Sequence, residues 1–307
     1  MMKKAAITGA TGMLASALIE KLVQDGVEVL AICRPHSKKR DNIPKDSLVT
    51  VAECDLSELL RLTEAGDDFD TFYHFGWDGT YGVSRDDVYL QNNNITWTLD
   101  AVKLAHALGC KVFIGAGSQA EYGRVTTKLK GDTPAFPETG YGVAKHAAGI
   151  LSRILCGQLD MRHNWGRILS TYGPKDNGYT MIMKSIDQML DRKGTAFTEG
   201  EQQWDYLFSE DAANAFYCIG EKGIDGKVYP VGGGKTRLLK DYIEAMRDAV
   251  DLSLPIKFGE VPYQPYQVMY LCADISELTA DTGFEPQVPF EEGIQKTINW
   301  CRREREK

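Results

Sequence analysis

At 307 residues the chain can bury a full hydrophobic core, either as one large α/β domain with an annex or as two units. Its 43% apolar and 25% charged content is that of an ordinary globular protein and excludes wholesale disorder. A formal net charge of −8 argues against a broad phosphate-backbone footprint, so nucleic acid is not an expected partner.

Lys3 and Lys4 run straight into a short apolar stretch, too short for a secretory core, and no apolar run nears the ~18 residues of a membrane span. A cytoplasmic protein with no membrane partner is expected. Residues 4–8 predict a strand and 13–24 a helix; strands follow at 28–33, 48–52 and 71–75, a helix over 87–108, a strand at 111–115 and a helix over 141–159. Alternation of this kind predicts an α/β fold, a Rossmann-type doubly wound parallel sheet with helices on both faces. Within the long helix Val88, Ile95, Leu99, Val102 and Leu104 recur near helical spacing. Beyond Arg167-Ile168-Leu169 the elements shorten, with Gly173-Pro174, Asp176-Asn177-Gly178 and Gly232-Gly233-Gly234 marking irregular connections. The chain thus divides into a sheet domain over 1–172, with a returning segment near 205–232 that contains the strand-like 228–231, and a smaller C-terminal lobe over 173–307 expected to face substrate. Seven cysteines are scattered singly with no Cys-x-x-Cys pair, so neither a disulfide framework nor a metal site is expected.

Thr8-Gly9-Ala10-Thr11-Gly12-Met13-Leu14 follows the first strand and opens the first helix. Glycine lets the backbone approach a phosphate, and the helix start offers unpaired N–H groups and a positive dipole end, which a dinucleotide pyrophosphate requires. Farther on, Tyr141 and Lys145 stand four residues apart, one turn from each other on one helix face. The lysine's charge, with an oxidised nicotinamide nearby, is expected to pull the phenol down from about 10, making Tyr141 a general acid/base.

The Thr-Gly-x-x-Gly start, with Ala15 in place of a third glycine, resembles the extended short-chain dehydrogenases/reductases, the NAD(P)-dependent epimerases, dehydratases and reductases of nucleotide sugars. The resemblance covers nearly the whole chain, through Arg167, Tyr172-Gly173-Pro174, Asp205 with Asp211-Ala212, and the closing Gly283-Phe284-Glu285-Pro286 and Gly293-Ile294. It implies that Asp55 and Leu56 contact the adenine, that Phe75, Gly76 and Trp77 line the cofactor, and that Asn94 and Lys145 belong to the same site. His74 is read as structural. Arg34 ends the second strand where NAD-specific members carry an acid, and with Lys38, Lys39 and Arg40 it favours NADP(H) over NAD(H).

Gly115-Ala116-Gly117-Ser118 resembles the family's stretch holding the catalytic hydroxyl, which implies Ser118 as hydrogen-bond donor to the reacting oxygen. Gln119-Ala120 replaces the Asp-Glu pair of sugar-nucleotide 4,6-dehydratases, and Glu121 comes one position late, so elimination is not expected. Substrate is expected against Trp77, Asp78, Gln119, Tyr179, Trp204 and Arg237, with Tyr263, Tyr266 and Tyr270 as further aromatic surfaces. Trp204 stands where the family carries a diphosphate-clamping arginine, and Lys175, Lys184 or Arg237 is the candidate replacement. Three readings follow: a reductase or epimerase of a nucleotide-linked sugar, a reductase of a carbonyl compound without a nucleotide, and a non-catalytic cofactor sensor. The family's dimer contact through the helices 87–108 and 141–159 implies a homodimer.

Overall fold

The computed structural model describes residues 2–265 and 267–306, so Tyr266 lies outside the described residues. Six strands and three helices build the sheet domain: β1 (Lys4–Thr8), α1 (Met13–Gln24), β2 (Glu28–Cys33), β3 (Val49–Glu53), β4 (Thr71–His74), α2 (Val88–Ala107), β5 (Val112–Ser118), α3 (Gly140–Gln158) and β6 (Arg162–Ile168). With the strand Val228–Val231 on one edge, they form a seven-stranded sheet in the order Val228–Val231, β6, β5, β4, β1, β2, β3. Each neighbouring pair runs parallel. The strand order reverses between β1 and β4, and in doubly wound sheets ligands bind at the carboxyl ends beside such a switch point.

Burial explains the unbroken apolar character of the central strands, since both faces of a parallel sheet are covered. Ala5, Ala6, Ile7, Phe72, Tyr73, Phe113 and Ile114 are all buried. α1 packs on one face through Ala15, Leu18, Ile19 and Leu22, the i, i+3, i+4, i+7 stripe of an amphipathic helix. α2 supplies Ala101, Val102, Leu104 and Ala105 to the opposite face.

One expected boundary is corrected: the strand expected to end at residue 115 continues to Ser118. Gly115 and Gly117 look like turn punctuation in the sequence. In the fold they make room for Trp165, whose ring lies where their side chains, and that of Gly149, would stand. The strand therefore delivers Ser118 directly to the sheet's carboxyl edge.

The remaining segments carry α4 (Met181–Leu190), α5 (Ser209–Lys222), α6 (Leu239–Val250), α7 (Ser276–Thr282) and α8 (Phe290–Arg305), with short two-stranded pairs such as Ser170–Tyr172 with Tyr206–Phe208. α5 returns to the sheet and packs on its α1 face through Ala212, Ala215, Phe216 and Ile219. A separate core of Tyr172, Ile186, Phe208, Tyr242, Phe290 and Ile294 gathers α4, α6 and α8 beyond the carboxyl edge. Among the described residues no helix is long and apolar enough to cross a membrane.

Candidate active site

The glycine turn leaves β1 with Gly9 at φ +69°, a left-handed backbone that favours glycine. A Cβ at Gly9 would come within 2.8 Å of the Gly76 amide nitrogen, so the turn after β1 and the end of β4 touch through bare backbone. Gly12 sits at the N-cap of α1 with no side chain closing the helix start. Three groups thus meet at the switch point: a bare turn, the open amide end of α1, and the half-buried Met13 and Leu14. That cradle fits a dinucleotide pyrophosphate on steric and dipolar grounds. Thr8 supports it from beneath, its buried hydroxyl accepting from Gly76 N at 3.1 Å and sharing a 2.8 Å bond with His74 Nδ1. Thr11 is held by Asn42, whose amide donates to its carbonyl at 2.9 Å.

His74 is fully buried, with Thr98 on its second ring nitrogen at 3.3 Å, and burial drives its pKa down to about 3. It is a neutral link between β1, β4 and α2. Asp55 occupies the N-cap of a short 3-10 helix without accepting a hydrogen bond there, and its side chain is exposed. Leu56 packs over Gly76, and Phe75 packs edge-on against Phe216 at 4.8 Å. Of the basic residues after β2, Arg40 pairs with Glu53 and Lys39 donates to Asn177 at 2.5 Å. Arg34 is exposed.

Ser118, Tyr141 and Lys145 come together at the carboxyl edge of β5. The Tyr141 phenol and the Ser118 side chain are hydrogen-bonded, and both Tyr141 and Lys145 are buried. Lys145 Nζ donates to Ala116 O at 2.6 Å. The expected depression of the Tyr141 pKa presupposes a bound oxidised nicotinamide; in the protein alone the shift runs the other way. Burial raises the phenol above its ordinary value, against the Ser118 hydrogen bond and the charge of Arg85, both of which lower it. Lys145 is itself pulled down by burial to about 7, with Glu121 opposing. In the protein alone the hydrophobic enclosure outweighs the neighbouring charge.

Glu121 turns away from the cleft into the core. Its carboxylate accepts from Ser118 N at 2.8 Å, Trp165 Nε1 at 2.9 Å and Arg167 Nε at 2.7 Å. Burial pushes this carboxyl up, but His146, Arg167 and Trp165 together hold it below the ordinary carboxylate value. It is an anchor for the Ser118 turn, in which Ser118 and Glu121 form a reciprocal cap.

Trp77 lies across this centre. Its ring is 3.8 Å from Lys145 Nζ and meets the Tyr141 ring edge-on at 6.0 Å. Gln91, buried on α2, fixes it by accepting from Trp77 Nε1 at 2.9 Å while donating to Gly79 O and Ser84 O. Asn94, three residues on, is spent on the same loop, accepting from Asp78 N at 2.8 Å and donating to Asp78 O and Leu90 O. The sequence contained the signal for Gln91, a second amide on the Asn94 face of α2, but gave it no role. Gln119 is half-buried directly after Ser118.

The substrate-side residues do not all converge. Tyr179 stacks on Tyr81 at 3.8 Å, joining the loop after β4 to the segment before α4. Trp204 lines a cavity of about 330 Å³ with Ser170, Thr171, Asp176, Thr180 and Tyr206, and donates to Ser170 Oγ at 2.8 Å. Asp176, which the sequence did not single out, is raised to about 6 by burial. Arg237 neighbours Trp204 in a two-stranded pair, yet its guanidinium is paired with Glu291 at 2.6 Å. Lys175 is bound to Ser16, Glu20 and Asn42 O, and Lys184 is exposed on α4. Tyr263 donates nothing to the cavity; its hydroxyl accepts from Glu201 N.

Comparison with known proteins sets this geometry in context. Residues 5–232 match the profile of the NAD dependent epimerase/dehydratase family. A CDP-abequose synthase of Salmonella muenchen is 22% identical over 305 residues, spanning 97% of each chain. Among solved structures, a UDP-N-acetylglucosamine 4-epimerase of Methanobrevibacter ruminantium M1, in complex with UDP-N-acetylmuramic acid, superposes with a TM-score of 0.90 at 22% identity, covering 99% of both chains. A UDP-glucuronic acid 4-epimerase of Bacillus cereus in complex with NAD gives a TM-score of 0.84 at 22% identity, covering 98% of this chain and 99% of that one.

Proposed function

Because this chain belongs to the NAD dependent epimerase/dehydratase family, we propose that it is an NAD(P)-dependent reductase or epimerase of a nucleotide-linked sugar. The observation that carries the reading is the assembly of Ser118, Tyr141 and Lys145 at one sheet edge beside the glycine cradle. A nicotinamide bound there supplies hydride transfer at a sugar carbon. Tyr141 then moves the proton of the carbinol or carbonyl oxygen, Ser118 donates a hydrogen bond to that oxygen as charge develops, and Lys145 biases Tyr141 toward release. Glu121 is sequestered with Arg167, which leaves no paired carboxyl group beside Ser118 and supports hydride chemistry without elimination. Replacing Tyr141 with Phe is expected to lower turnover at least ~100-fold, the usual reach of a positioned acid/base. Undiminished turnover would sink the assignment.

Arg34, exposed and unpaired among the described residues, supports NADP(H) as the preferred cofactor, with NAD(H), the dinucleotide bound to the Bacillus cereus neighbour, as the alternative. Fluorescence titration is expected to show tighter NADPH than NADH binding, a preference lost in Arg34→Ala. The second reading, a carbonyl substrate without a nucleotide, draws on the cavity beside Trp204, where Lys175 and Arg237 are already committed and Asp176 is the charged wall. Thermal shifts with UDP, TDP, CDP and GDP separate the two: stabilisation by one of them supports the nucleotide sugar. Exposed Val88 and Tyr89 on α2 and Val143, Ile150 and Ile154 on α3 support a homodimer through those helices, which light scattering tests.

A further inference from the structure

Two cations lie near the Tyr141 ring, and Lys145 is the farther of them. Its ammonium lies 5.9 Å from the Tyr141 ring centroid while bonded to Ala116 O and seated on the Trp77 face. A closer positive group comes from the loop after β4. The Arg85 guanidinium carbon is 4.4 Å from the same centroid, well within cation–π range.

The loop after β4 is built to hold it there. Arg85 belongs to the 3-10 turn Gly82–Asp86, and donates through Nη1 to Thr80 O at 3.2 Å. Its neighbour Asp86 accepts from Gly140 N, the first residue of α3, at 2.9 Å. A Cβ on Gly140 would approach Arg85 O to 3.0 Å, so the turn lies directly on the helix end that carries Tyr141. Gln91 ties Ser84 O from below. No carboxylate pairs with Arg85 among the described residues, so its charge is not already neutralised.

We propose that Arg85 is a positioning residue for the proton-transfer step: its permanent charge on the Tyr141 ring stabilises the phenolate while Lys145 shares its charge with Ala116 and Trp77. The proposal rests on the reading of Tyr141 as the acid/base. Every charged group facing Tyr141 enters the balance: Arg85 from the loop, Lys145 one helical turn on, Glu121 behind β5, and Asp86 at the helix cap. The hydroxyl of Ser118 completes the ring's polar surroundings. Of the two cations Arg85 is the nearer to the ring, while burial holds Lys145 near 7.

The test reads the phenol itself and needs no substrate. A polyfluorinated tyrosine, whose phenol ionises well below that of tyrosine, is placed at position 141 of the full chain and titrated by ¹⁹F NMR with NADP+ or NAD+ bound. Arg85→Gln is expected to raise the midpoint by about one pH unit, the scale of a partly buried cation–π contact. Arg85→Lys is expected to recover most of it, and Arg85→Met repeats the neutral substitution should Arg85→Gln fold poorly. An unmoved midpoint in the neutral variants overturns the proposal, as does an equal shift in Arg85→Lys, which would mark a structural effect. Failure of the underlying Tyr141 assignment shows separately, as undiminished turnover in Tyr141→Phe.

Discussion

Replacing Glu121 with Gln preserves the shape of the side chain and removes its charge, so it isolates the electrostatics of the anchor behind Ser118. The wild-type carboxylate is buried and takes three donors: Ser118 N and Trp165 Nε1 on one oxygen, Arg167 Nε on the other. A carboxamide keeps one acceptor oxygen and turns an NH2 group toward one of those donors. If the oxygen stays on Ser118 and Trp165, Arg167 loses a charge-assisted bond worth about 1.5–3 kcal/mol. Arg167, only 5% exposed, then remains a buried cation without a counter-charge, left with the neutral acceptors His146 Nδ1 at 3.3 Å and Gly131 O at 3.5 Å. Breaking a buried pair from one side costs about 3–5 kcal/mol, which we expect here. In urea this lowers the unfolding midpoint by about 1–2.5 M for an m-value of about 2–3 kcal/mol/M. The pH dependence carries the sign. The folded carboxyl is held below its ordinary 4.5, so its stabilisation is present above that value and lost as pH falls through the folded one. The deficit of the variant should therefore be level above about pH 5 and shrink only in more acidic buffer. A deficit under about 1 kcal/mol at pH 7 would refute the view of Glu121 as a compensated buried charge.

Gly9→Ala meets both a left-handed backbone and the Gly76 amide, so dinucleotide affinity should fall at least ~10-fold by fluorescence titration, with strain of about 1–3 kcal/mol lowering the melting temperature. Gln91→Ala removes the tether of Trp77, Gly79 and Ser84; hydrogen exchange over residues 77–86 is expected to quicken while the β1 amides stay protected. Asp176, raised to about 6, destabilises the fold once ionised, so Asp176→Asn should gain stability relative to wild type as pH climbs from about 4 to about 6, and hold that gain above; a melting-temperature difference flat across that window would contradict it.

What the sequence disclosed and what it withheld divide along a physical line. The parallel sheet was legible because strands covered on both faces must be continuously apolar, as in 4–8 and 28–33, while their helices show a 3.6-residue stripe. Tyr141 and Lys145 could be paired in the sequence because they share a helix turn, whereas Ser118, three residues past the expected strand end, came only from the family resemblance. Hidden were the features that depend on packing between distant segments. Gly115 and Gly117 signal a turn locally, and only Trp165, nearly fifty residues later, explains them as strand. Lys175 and Arg237 looked like free cations, but the partners that occupy them, Glu20 and Glu291, lie 155 and 54 residues away. The upward Tyr141 shift of the protein without cofactor was hidden for the same reason. Spacing reveals which charges are near, but desolvation depends on everything that encloses the phenol, and here Trp77 and the loop carrying Arg85 close over it. That loop gives the enclosure a consequence for chemistry. The wall that raises the cost of ionising Tyr141 also carries a guanidinium that offsets part of it, alongside the larger contribution of the Ser118 hydrogen bond.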